Sequence, residues 1–257
     1  MLSDLVAGAL QDASERRAVR SLADVEADAL ARPAALDALS ALAPRDSVHI
    51  IAEIKRSSPS RGLLAEIPDP TVLAQVYEAG GASAISVLTE GRRFSGSLED
   101  LEAVRASVTV PLLRKDFIAE PYQVFEARAA GADLVLLIAA ALEQPVLAEL
   151  FDLINQLGMT PLVETHSADE VERALDVGAD LVGVNARNLS TFELDRDLFG
   201  ELADRVPAGV IKIAESAVST PADVAHYRRA GADVVLVGEA LVTGDPASAL
   251  RDFLAVT

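Results

Sequence analysis

Lysine occurs at three positions in this chain, Lys55, Lys115 and Lys212, while arginine supplies the rest of its positive charge. Two of the three stand at the ends of short apolar runs. Glu53 and Lys55 end IIAEIK, and Lys115 ends PLLRK. Comparable runs end in Glu164, in Asn185 with Arg187 just beyond, and in Glu215 followed by Ser216. An ammonium group is an acid of tunable pKa, and a carboxylate of shifted pKa serves as acid or base. Brought together, these residues suit protonation of a carbonyl, pairing with a substrate anion and removal of a proton.

A second chemistry is written in the small residues. AESAVSTPAD (214–223) and VGEALVTGD (237–245) join apolar runs to helical stretches. There Ser216, Gly238 and helix-starting amides would receive an anion such as phosphate without needing net positive charge. Ser58, in RSSPSRG (56–62), offers a further hydroxyl. The histidines carry less. His49 and His226 read as structural, whereas His166 follows Glu164 by two residues and could face the site, though it is not expected to act there directly. No pair of histidines has metal-ligand spacing and the acidic residues are spread over helix surfaces, so no metal is expected.

Convergence requires a scaffold, and eight short apolar runs supply one. They are HIIAEI (49–54), AISVLT (84–89), VPLLRK (110–115), LVLLIA (134–139), TPLVET (160–165), LVGVNA (181–186), VIKIAE (210–215) and VVLVG (234–238). Runs this continuous are strands buried on both faces, which means parallel pairing. Amphipathic stretches such as PYQVFEARAAG and SADEVERALDVG separate them. GGAS (80–83), AGAD (130–133), VGAD (177–180) and AGAD (230–233) each close a helix just before a strand, with glycine as the stop. Repeated strand-then-helix units predict a single (β/α)8 TIM barrel over 49–257. An open doubly wound sheet is disfavoured, since no G-x-G-x-x-G follows the first strand. In a barrel the reactive residues above all fall at the C-terminal strand ends, where active sites form. Lys212 falls mid-strand and is expected in the interior or its lower layers.

Residues 1–48 read differently. Leu2, Leu5, Val6, Ala9 and Leu10 recur at helical spacing, and Pro33 and Pro44 punctuate the segment. Two or three helices ending near Arg45 are expected, as an N-terminal extension covering one end of the barrel.

Composition bounds the partners. The 257 residues are 51% hydrophobic and 24% charged, with a formal net charge of −18. Such a mixture folds, and such a charge repels nucleic acid and anionic lipid. Cysteine is absent, which excludes thiolate chemistry. The first residues lack a secretory apolar core, and no apolar run approaches the ~20 residues of a membrane span. A cytoplasmic protein, monomeric or weakly homo-oligomeric, is expected.

The strand ends resemble one family. IIAEIKRSSPSRG (50–62), FSGSLEDL (94–101), PLLRKDFI (111–118), PLVETHS (161–167), GVNARNLSTFELD (183–195), AESAV (214–218) and VGEALV (237–242) are similar to motifs of the indole-3-glycerol-phosphate synthases. The resemblance implies closure of 1-(2-carboxyphenylamino)-1-deoxyribulose 5-phosphate to indole-3-glycerol phosphate, with loss of carbon dioxide and water, in tryptophan biosynthesis. It implies Lys115 as general acid, Lys55 paired with the substrate carboxylate, and Glu164 and Glu53 as the acid–base groups of dehydration. Asn185 orients, and Arg187 and Glu215 support nearby. Ser58, Ser216, Gly238 and the backbone around Ala217 and Glu239 hold the phosphate. Phe94, Phe117, Leu136 and Leu189 hold the anthranilate ring. No cofactor is implied.

Three positions depart from the family pattern. Ala217 stands where glycine is usual, Ala186 replaces a commoner polar residue, and Thr165 replaces an apolar one. Ala217 keeps its N–H, so phosphate binding is retained if φ there is negative and weakened if it is positive. A related barrel, phosphoribosylanthranilate isomerase, depends on a cysteine that this chain lacks. A Schiff-base aldolase using Lys55 or Lys115, and a barrel that binds a phosphorylated ligand without turnover, remain as alternatives.

Overall fold

In the computed structural model, which describes residues 1–188 and 191–256, eight parallel strands close into a barrel in chain order. They are β1 His49–Ile54, β2 Ala84–Leu88, β3 Leu112–Lys115, β4 Leu134–Ile138, β5 Thr160–Thr165, β6 Leu181–Asn185, β7 Ile211–Glu215 and β8 Val234–Val237. β8 returns to β1 with His49 opposite Val234, which completes the ring. The predicted strands are thus reproduced to within two residues at each end. A small hairpin of Ser57–Ser58 and Gly62–Leu63 lies in the loop after β1.

Helices α1 Leu2–Val19, α2 Leu22–Ala31 and α3 Ala38–Ala41 precede the barrel. Around it run α4 Pro70–Ala79, α5 Leu98–Ser107, α6 Pro121–Ala130, α7 Gln144–Gln156, α8 Ala168–Asp176, α9 Leu198–Ala203, α10 Pro221–Arg229, α11 Glu239–Val242 and α12 Pro246–Leu254. The local chemistry accounts for their ends. Ser97 and Ser167 accept the N–H of Asp100 and Glu170, and α4, α6, α10 and α12 carry proline in the first turn. Gly81, Gly131, Gly178 and Gly231 all take positive φ where a helix turns back to a strand.

Strand parity then sorts side chains into two layers. Ile51, Leu113, Leu162, Leu181, Ile211, Ile213 and Leu236 fill the barrel interior. Ile50, Val87, Leu112, Val135, Val163, Val182 and Val235 face the helices. Glu53, Lys115, Glu164, Asn185 and Glu215 each lie an even number of residues beyond an interior residue of the same strand. All five therefore share the inward face at its C-terminal end. Lys212 falls between Ile211 and Ile213 and opposite Val182, so it faces the helix layer. Its expected interior position is corrected by that parity.

The N-terminal segment reaches both ends of the barrel, not one as expected. Leu5 and Ala9 of α1 join the apolar cluster of Phe117 and Ile138 at the C-terminal strand ends. α2 runs along α6, with Ala13 and Val25 packed on Tyr122, whose hydroxyl donates to the Arg20 carbonyl at 2.9 Å. At the opposite end, Leu36 N–H donates to Asp133 at 2.7 Å and His49 Nε2 lies 2.8 Å from the Ala43 carbonyl. His49 is structural, as the sequence indicated.

α1 is held by charge as well. Arg16 meets Glu126 at 2.5 and 2.8 Å, and Glu126 lies 3.6 Å from the fully buried Arg114. Arg114 donates to Asp116 at 2.9 Å, Thr89 at 3.1 Å and the Gln123 carbonyl at 2.6 Å. Removing one partner of a buried pair costs more than the pair contributes. Here Arg114 retains Asp116 and Arg16 is partly solvated, so Glu126→Gln should destabilise the protein by about 2 kcal/mol. Urea unfolding with an unchanged m-value would register it.

Candidate active site

Above the interior layers a cavity of about 320 Å³ opens at the C-terminal strand ends. Its wall contains Glu53, Lys55, Ser58, Phe94, Lys115, Asn185, Arg187, Glu215, Ser216, Ala217, Gly238 and Glu239. Those residues come from six strand ends, so the convergence expected of a barrel is present. Glu164 lies just behind the wall and is buried. Phe117 and Leu136, expected to touch a ring, are buried among interior apolar residues, with Phe117 6.2 Å from Phe94 between ring centroids. Leu189 lies outside the described residues. Ser60, Arg61, Phe192, Leu194, Arg196, Val218 and Ser219 also line the cavity and were not singled out from sequence. Ser60 and Arg61 belong to RSSPSRG, so that motif held the signal.

Three loops set the wall. After β2, the Glu90 carboxylate accepts the N–H groups of Arg92, Arg93 and Phe94 at 3.1, 2.7 and 2.9 Å. A side chain on Gly96 would strike the Leu88 carbonyl, so this turn closes against β2 and holds Phe94 at the mouth. After β7, Ser216 and Ala217 both occupy the left-handed region, at φ 71° and 57°. The sign that weakens the alanine substitution is the one observed. After β8, Gly238 precedes the short helix α11, the position of the phosphate subsite in many barrels. Ser58 Oγ is buried at the same cavity without a hydrogen-bond partner, so a donor is available there.

Lys115 Nζ sits 2.6 Å from Glu215 and 3.1 Å from Glu164. Burial favours the neutral amine, but Glu215, Glu164 and Glu53 outweigh it and hold Lys115 firmly cationic. Burial alone would protonate Glu164, yet Lys115, His166 and Asn185 keep it well below the usual carboxylate range. Asn185 Nδ2 donates to Glu164 at 3.1 Å, and its Oδ1 accepts from Ser216 at 2.8 Å. Glu215 is different: burial and the charge of Glu164 exceed the pull of Lys115 and push it up to about 7. Its Oε1 has no partner and abuts Gly183, where a Cβ would come within 2.3 Å. Lys55 pairs with Glu53 at 2.6 Å across the mouth. Among the described residues, no three His, Asp or Glu side chains are grouped as metal ligands.

Fold and site together define a (β/α)8 barrel with a buried lysine–carboxylate cluster at the C-terminal strand ends. The family model for indole-3-glycerol phosphate synthase matches residues 2–253. A protein of that name from Leifsonia xyli is 71% identical over 256 residues, spanning 100% of this chain and 98% of its own. Another from Beutenbergia cavernae is 58% identical, spanning 99% and 95%. The chain belongs to the indole-3-glycerol phosphate synthase family, carboxy-lyases of tryptophan biosynthesis. An N-acetylmannosamine-6-phosphate 2-epimerase from Clostridium perfringens shares the fold alone, with TM-score 0.61 at 16% identity over 83% of this chain and 93% of that one.

Two substitutions test this geometry. A Cβ at Gly238 would come within 2.4 Å of Glu53 Oε1 and 3.1 Å of Lys55 Nζ. Gly238→Ala should therefore lower kcat as well as raise KM, which steady-state kinetics would separate. Ala217→Gly removes a left-handed strain of about 1 kcal/mol at the phosphate loop. A lower KM with kcat unchanged is expected.

Proposed function

We propose that this site closes the indole ring of 1-(2-carboxyphenylamino)-1-deoxyribulose 5-phosphate, with Lys115 as the general acid. The observation that carries the reading is a buried ammonium on the cavity floor, flanked by Glu164 and Glu215, beneath a mouth bearing Lys55. In the first step the carboxylate-bearing ring carbon attacks the ketone, and Lys115 delivers a proton to the oxygen as the carbon–carbon bond forms. The substrate carboxylate, paired with Lys55, then departs as carbon dioxide and returns its electrons to the ring. Dehydration follows: one acid protonates the hydroxyl and one base takes the neighbouring carbon's proton, the work assigned to Glu53 and Glu164. Asn185 holds Glu164 in place, and Arg187, whose N–H donates to Asn185 at 3.0 Å, adds positive charge at the mouth. Ser58, Ser216 and the backbone at Ala217, Gly238 and Glu239 receive the phosphate, and Phe94 covers the ring.

Among the described residues no helix is long and apolar enough to cross a membrane. The family match supports a small phosphorylated substrate, and we infer action in the cytoplasm as a monomer or weak homo-oligomer.

Fluorescence detection of indole-glycerol phosphate formed from the ribulose phosphate tests the activity; a folded protein giving no product rejects it. The lysines are separable. Arginine at position 115 keeps the charge but gives up no proton at neutral pH. Lys115→Arg should lower the single-turnover rate by at least ~10²-fold, the lower end for a positioned acid. A near-normal rate would make Lys115 purely electrostatic. Lys55→Met should raise KM and lower kcat together, since its contact exists in ground and transition states.

A further inference from the structure

Ser216 and Ala217 are consecutive, neither is glycine, and both hold left-handed φ, at 71° and 57°. A strained turn of this kind persists only where its surroundings over-determine it. It also aims successive N–H groups to one side, which makes a concavity for an anion. Among the described residues, nothing accepts the N–H groups of Ala217 or Val218. Something outside the turn must therefore keep its shape.

The contacts that do so come mainly from α10. Asp223, the third residue of that helix, is buried beneath the loop. Its Oδ2 accepts the N–H groups of Ser219 and Thr220, both at 2.9 Å, and the Thr220 hydroxyl at 3.0 Å. One turn further on, the hydroxyl of buried Tyr227 donates to the Ser216 carbonyl at 3.3 Å. The Tyr227 ring stands edge-on to Phe199, with centroids 5.6 Å apart, which limits where that hydroxyl can go. Both ends of the turn are thus tied to one helix. From across the barrel, Asn185 Oδ1 accepts the Ser216 hydroxyl at 2.8 Å.

Capping a helix would occupy Oδ2 alone. Asp223 Oδ1 instead meets Arg196 Nη1 at 2.7 Å, and Arg196 belongs to the loop after β6. That residue lines the cavity together with Ser216 and Ser219, so the pair joins the loops after β6 and β7. Burial alone would favour the protonated acid, but the Ser219 and Thr220 amides and Arg196 hold Asp223 below the usual carboxylate range.

We propose that Tyr227, Asp223 and Arg196 are positioning residues that hold Ser216 and Ala217 left-handed, so that the amides of the turn stay aimed at the substrate's phosphate. This rests on the reading that the loop after β7 receives the phosphate. Glycine would take the turn without strain, and alanine at position 217 needs the frame. The three residues therefore compensate for the side chain that Ala217 adds.

Two readouts on the whole protein test the frame: the dissociation constant for inorganic phosphate, by phosphorus NMR titration, and steady-state kinetics with the ribulose phosphate. Tyr227→Phe and Arg196→Met should each weaken phosphate binding and raise KM by about three- to tenfold, with kcat held within about twofold. In the Ala217→Gly background the same substitutions should cost at most about twofold, because glycine keeps the turn without help. A merely structural role would lower kcat as well, and the glycine would not soften it. Arg196→Met alters an exposed side chain and so covers the case in which Tyr227→Phe fails to fold. Unchanged phosphate affinity in the folded variants, an equal fall in kcat, or an undiminished loss in the glycine background overturns the frame. A wild type that binds no phosphate overturns it together with the loop assignment. A wild type that binds phosphate yet forms no product rejects the assigned activity alone, and the binding readout still decides the frame.

Discussion

One buried ammonium facing three buried carboxylates governs the arrangement of this barrel. At interior dielectric, uncompensated charge costs several kcal/mol per ion, so each carboxylate around Lys115 needs a further partner or must give up its charge. Glu53 has Lys55, and Glu164 has Asn185 and His166. Glu215 has Lys115 alone, and accordingly its pKa moves up toward neutrality. Glu164 and Glu215 are thus moved in opposite directions, in keeping with the number of partners their oxygens hold. A site that must protonate one oxygen and deprotonate one carbon in the same cavity needs that spread.

Rigidity comes from beneath and from the side. The interior layers of Ile51, Leu113, Leu162 and Ile213 leave no room for the charged ends to sink, and Gly183 gives Glu215 the one gap it occupies. Arg114, next in sequence to Lys115 and pointing the opposite way, anchors β3 to Asp116, Gln123 and, through Glu126, to α1. The leader helix that packs at the C-terminal strand ends is therefore wired to the strand that carries Lys115. Stability of the extension and placement of Lys115 share one ionic network.

Much of this was legible in the sequence because parallel strands leave a plain record. Both faces are buried, so the runs stand out, and an even spacing from Ile51 to Glu53 or from Ile213 to Glu215 fixes the inward face. The same parity places Lys212 outward, between inward Ile211 and Ile213, a distinction that membership in an apolar run does not carry. Depth was not legible. Phe117 and Leu136 share an apolar cluster with Phe94 at the cavity, and their distance from the mouth is set by strand tilt, which no run of letters encodes. The partner of His166 was hidden similarly: Glu170 belongs to the next helix, and the capping geometry at Ser167 brings the two together. The reach of α3 to the bottom of the barrel depends on long-range contacts such as Leu36 with Asp133.

The net charge of −18 raises the question of how a substrate bearing both a phosphate and a carboxylate enters. Distance resolves it. At physiological ionic strength charges beyond about 8 Å of solvent are largely screened, so the acidic helix surfaces act weakly on the mouth. What the substrate meets is the local set: Lys55, Arg61, Arg187 and Arg196 on the cavity wall. Two of these are already engaged, Arg61 with Glu239 at 2.6 Å and Arg196 with Asp223 at 2.7 Å. Among the described residues Arg187 meets the Ser60 hydroxyl and the Phe192 carbonyl, which are neutral, and Lys55 shares its charge with Glu53. In the proposed binding mode the phosphate falls to hydroxyls and backbone amides of the loops after β1, β7 and β8 and the carboxylate to the cationic rim, an arrangement that would turn the carboxylate-bearing ring toward Lys115.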